Sequence, residues 1–194
     1  MQDFWFYIKL GFEHVLDLGA YDHILFLAAL AIPYTFKSWK KVLVLATIFT
    51  VAHCTSLALS VYELATVNVG YIEFLIPVTI ALMALFNILA TYKKEQSNNM
   101  LLQALATTFF GLIHGFGFSN YFNMLMAEEV NKLNPLLGFA SGIELSQVAI
   151  ILGVLAFRFA LEKSIKPKEE IFIGITSILI ILVTIPMLIA TFPL

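Results

Sequence analysis

Seven side chains in this sequence can take up a proton or bind a metal from within, or right beside, apolar sequence. They are His14, His23, His53 and His114, with the acids Asp22, Glu73 and Glu144. Imidazole and carboxylate without thiolate suit a borderline or hard divalent ion such as nickel, zinc, iron, cobalt or manganese. Copper(I) is disfavoured, because it prefers Cys or Met. Cys54 is the only cysteine, which excludes a disulfide framework and a cysteine-rich zinc site. Three acids and four histidines exceed one tetrahedral shell. The surplus could support the ligands, hold a second ion or relay protons.

The elements that must position these residues follow from composition. The chain has 194 residues, of which 60% are hydrophobic and 12% charged, with a mean hydropathy of +0.91. A soluble domain carries about 25% charged residues. So few charges exclude an ordinary soluble domain, a disordered chain and a nucleic-acid binder. An all-α polytopic membrane bundle is expected. About 20 apolar residues cross a bilayer. Polar punctuation then predicts spans near 22–36, 42–62, 69–92, 101–126, 135–161 and 171–192 in a single membrane domain. Residues 1–20 carry Lys9, Glu13, His14 and Asp17 and read as an interfacial or re-entrant segment, with a seventh span as the alternative.

Basic residues orient this layout. Three lysines lie in 36–41, two in 93–99, and Arg158, Lys163, Lys166 and Lys168 lie in or beside the fifth loop. The intervening loops carry none and one. The positive-inside rule therefore predicts a bacterial inner-membrane protein with both termini outside. On this reading Arg158 is a topology determinant, and the phenylalanines are bulk apolar surface.

An ionisable side chain at mid-span costs about 2.5–3.5 kcal/mol. With ~1.5 Å of rise per residue, the ionisable groups within helices two to five fall about 6–18 Å below the outer surface. Asp22 and His23 lie at the outer end of the first span. One shared polar site explains a common level better than independent defects. Thr50, His53 and Ser56 recur at i, i+3 and i+6, and Ser141, Glu144 and Gln147 have the same spacing, so each set forms a stripe. Gln147, Thr50 and Ser141 are expected to support the ligands by hydrogen bonding. Gly111 and Gly115 flank His114 and allow close helix approach.

Five blocks in order resemble the HupE/UreJ family of hydrogenase and urease accessory membrane proteins. They are His14…Asp22-His23-Ile24-Leu25-Phe26-Leu27, Phe49-Thr50-Val51-Ala52-His53, Ile72-Glu73-Phe74-Leu75-Ile76, Phe110-Gly111-Leu112-Ile113-His114-Gly115-Phe116-Gly117-Phe118 and Gly142-Ile143-Glu144-Leu145-Ser146-Gln147. The resemblance covers about residues 11–150 and includes every histidine. It implies nickel uptake for nickel enzymes and points to His14, Asp22, His23, His53, Glu73, His114, Glu144 and Gln147.

Two principal functions compete at this stage. The first is a divalent-metal permease, for nickel by the resemblance. The second is an intramembrane zinc hydrolase acting on a lipid-like substrate, with Glu73 or Glu144 as general base. A metal sensor is a third. The lipid bilayer and a metal ion are the expected partners, and homo-oligomerisation is left open. No nucleic acid is expected. No nucleotide is expected either, since no Walker-type phosphate loop occurs.

Overall fold

The computed structural model describes residues 4–92 and 100–193. The predicted polar loop 93–99, with its two lysines, lies outside the described residues. The described residues form α1 (Phe4–Leu16), α2 (Asp22–Ala31), α3 (Trp39–Val61), α4 (Val69–Tyr92), α5 (Met100–Met126), α6 (Leu133–Ser164) and α7 (Glu169–Ala190). A single 3-10 turn, Phe36–Ser38, leads into α3. This is a helical membrane bundle, as the composition demands.

Five of these helices, α3 to α7, are long and apolar enough to cross a membrane. The expected first span near 22–36 is not among them. Helix α2 has 10 residues, about 15 Å of rise, against a hydrocarbon core of roughly 30 Å. It ends just before Pro33, which has no N–H to continue the helical ladder. The segment 1–20, expected to form an interfacial or re-entrant helix, contributes a second short helix, α1. Helix α1 lies along the first half of α6, where Gly138 and Gly142 face Phe4, Tyr7, Ile8 and Phe12. Helix α2 ends beside the second half of α6, where Arg158 reaches the carbonyls of Ile32 and Tyr34. Two half-helices thus share the length of one spanning neighbour, with a break at residues 17–21. We call the end where α1, α4 and α6 begin the upper end.

Small residues set the closest contacts. Gly11 on α1 meets the backbone of Phe139 and Ile143, and Gly142 on α6 meets the backbone of Ile8 and Phe12. Gly111 and Gly115 on α5 meet the backbone of Phe49 and His53 on α3. With apolar lipid as the alternative solvent, such close backbone packing is what holds membrane helices together.

Polar side chains close the exposed backbone ends. Asn87 on α4 donates to the Ala29 carbonyl at 2.7 Å. Arg158 donates to the Ile32 carbonyl at 2.8 Å and to that of Tyr34 at 3.2 Å. It also bonds Glu162 and Glu169 and stacks on the Phe172 ring. Arg158 is therefore a buried clamp rather than a loop charge. At the upper end, Lys132 donates to the Val61 carbonyl at the close of α3.

The glycine seams are directly testable. A Cβ at Gly142 would overlap the Ile8 carbonyl, whereas one at Gly153 or Gly174 meets nothing within 4 Å. Gly142→Leu should lose at least about 1–3 kcal/mol of stability, read as earlier thermal unfolding in detergent. Gly153→Leu should unfold with the parent. Equal unfolding of all three proteins would refute the α1–α6 contact.

Candidate metal centre

The four histidines come from four helices and meet at one place. His14 closes α1, His23 opens α2, His53 lies within α3 and His114 lies within α5. Counting helix rise from the upper ends of α1, α3 and α5 puts His14, His53 and His114 about 12–18 Å deep. His23 joins them because the chain turns back into helix at Asp22, just past the break. Its ring centre is 4.6 Å from that of His14, 5.5 Å from His53 and 5.3 Å from His114.

One nitrogen from each of His14, His23 and His53 lies within 4.8 Å of the other two. That spacing admits an ion between them. Hydrogen bonds fix two of the four rings. Asp22 Oδ1 accepts from His23 Nδ1 at 3.1 Å and from the His23 backbone N–H at 2.9 Å. The Phe110 carbonyl accepts from His114 Nδ1 at 2.8 Å. A carbonyl or carboxylate only accepts, so both Nδ1 atoms carry a proton, and in the neutral imidazole form each Nε2 keeps a lone pair. Metal-binding histidines are held in this way by the partner of their other nitrogen.

The free nitrogens fit a metal. His14 Nε2, His23 Nε2, His114 Nε2 and both nitrogens of His53 are buried without a hydrogen-bond partner. A buried polar atom left unpaired costs about 1–3 kcal/mol. A divalent ion would satisfy several at once, with Asp22 supplying negative charge beside it.

Aromatic rings enclose the group. Phe26 and Phe49 stack with centres 4.6 Å apart below the histidines, and Phe49 approaches His23, His53 and His114. Phe110 packs edge-on to Phe26. Above, Phe118 lies 4.0 Å from His14, stacks with Phe139, and Phe122 packs behind both. The expectation that phenylalanines are bulk surface is corrected for these six. Their signal in the sequence is spacing: Phe49, Phe110 and Phe118 each sit four residues from a histidine, and Phe26 three.

The remaining expected residues divide. Asp22 orients His23 through their hydrogen bond. Thr50 and Gln147 are buried, and the Thr50 hydroxyl donates to Gln147 Oε1 at 3.1 Å. Glu144 is half-buried and accepts from the Thr47 hydroxyl at 3.4 Å, between α3 and α6. Glu73 is exposed. At this level α4 packs through Ile72 and Ile76 near Gly117 of α5 and through Phe74 against Phe192, and Glu73 is not among the packed residues. Ser141 is exposed and bonds the Leu137 carbonyl of its own helix. Three residues advance a helix by about 300°, so the 141–144–147 stripe spirals from exposed to buried rather than facing the site throughout. Gly138 and Gly142 were missed as a close-packing pair, although their spacing equals that of Gly111 and Gly115.

Purified protein should bind Ni2+ or Zn2+ by calorimetry, and His53→Ala should abolish the high-affinity phase. Asp22→Asn should weaken binding by about 10–100-fold with unchanged stoichiometry, as loss of an orienting partner does. Glu73→Gln should bind like the parent.

No curated protein and no solved structure matches the chain. The family model described as HupE / UreJ protein matches residues 1–191. That is nearly the whole chain, every histidine of the centre included, and the chain therefore belongs to the HupE/UreJ family.

Proposed function

We propose that this protein carries a divalent transition metal, nickel by its family, across the bacterial inner membrane through the histidine centre. The observation that carries the reading is the set of unpaired, buried imidazole nitrogens contributed by four helices. A structural core would not leave them so, because each unpaired group is destabilising.

The donor chemistry supports cargo of this class. Neutral imidazoles replace water around a borderline ion, and Asp22 offsets part of its charge where hydration is lost. In the orientation given by the lysine-rich loops, the upper end faces outward and the ion arrives from there. Passage onward requires the Phe26, Phe49 and Phe110 rings to part. Thr107, two turns below His114, offers a buried hydroxyl without a partner on that route. The rings below the centre would form the inner barrier on that route.

The hydrolase reading needs a general base within hydrogen-bond reach of a metal-bound water. Both candidates for that base have other surroundings: Glu73 is exposed and Glu144 bonds Thr47. Asp22 is engaged with His23.

Proteoliposomes containing the protein should accumulate radioactive Ni2+ down an imposed gradient. His53→Ala and His114→Ala, inserted to the same level, should fall to the rate of empty liposomes. Parent protein that binds the ion yet leaves it outside would overturn the transport reading.

A further inference from the structure

Rings cover the histidine centre along the bundle axis, and the α1–α2 break beside it is exposed. Residues 17–20, between α1 and α2, are all exposed or half-buried, and Leu18 is 81% exposed. This break begins three residues after His14 and ends at Asp22. It stands beside the middle of α6, since α1 follows the upper half of that helix and α2 the lower half. In a bilayer this is the depth of the acyl chains.

Irregular backbone does not face lipid at that depth; it is tolerated where protein buries it or where it lines water. Asp17 sharpens the constraint. Its carboxylate is exposed, and its Oδ1 accepts from the Gly19 N–H at 2.7 Å. An ionised carboxylate facing acyl chains would carry the intramembrane charge penalty described above. Water against the break removes both difficulties, and the break touches the same residues that hold the histidine pair.

We infer that the 17–21 break is the portal of the metal centre, a water-filled lateral opening in which Asp17 meets the incoming cation first. The ion then passes sideways to His14 and His23, without crossing the Phe118–Phe139 stack. The exposed break and the ring-closed axis together point to entry from the side. The assignment of the cation rests on the metal reading above; the water-filled opening does not.

The test uses the full chain with Cys54→Ser and one new cysteine, in membranes. Leu18→Cys should react with the impermeant cation MTSET within about tenfold of the rate at Val130→Cys in the upper loop. Leu152→Cys, at similar depth on α6, should stay unmodified. A Leu18→Cys protein as unreactive as Leu152→Cys would overturn the portal, and so would a disulfide joining two copies through the cysteine introduced in place of Leu18. These measurements need no metal, so they stand apart from any failure of transport. In the second arm, Asp17→Asn, which keeps the acceptor for Gly19, should slow Ni2+ association by about tenfold through lost electrostatic steering. Glu13→Gln on α1 should not. An unchanged rate in Asp17→Asn would remove Asp17 from the portal.

Discussion

Inside a bilayer a polar group without a partner has no water to fall back on. That constraint organises this protein. The carbonyls at the foot of α2 are met by Asn87 and Arg158, and the end of α3 is met by Lys132. The four imidazoles depart from it most, with five of the nine unpaired buried side-chain atoms among the described residues. That concentration in one place supports the histidine centre as the proposed functional site.

The packing explains how four separate helices bring imidazoles to one point. Glycine on α5 lets α3 come close enough for His53 and His114 to share a site. Glycines on α1 and α6 do the same for His14. His23 needs no such seam, because the break restarts the chain beside His14. Glycine seams and a broken helix are thus two solutions to one problem, which is placing compact rings within bonding range of a common ion.

Much of this was legible in the sequence. Low charge and apolar blocks of spanning length gave the helical membrane class, and the histidines stood out because ionisable residues are rare at such positions. The boundary of the first span was not legible. An apolar run from Ile24 onward looks the same whether it is a whole crossing or half of one. The difference lies in the Asx turn at Asp17 and in Pro33, both local features with many innocent occurrences. The separation of Glu73 and Ser141 from the centre was hidden for another reason. Linear spacing gives depth along a helix, but facing depends on which neighbour lies at that level. The role of the six phenylalanines was masked by the abundance of that residue, 18 in the chain.

The Arg158 clamp has a mechanical consequence. It fixes the lower end of α2 to α6 and α7, whereas the upper end, bearing Asp22 and His23, follows an irregular break. Helix α2 is therefore a lever about 15 Å long with its pivot at the guanidinium and its tip at the histidine centre. A tilt of about 10° moves that tip by roughly 2–3 Å, more than a zinc–nitrogen bond length of about 2 Å. A slight rocking of one short helix is enough to make or break coordination, while the long helices around it stay where they are.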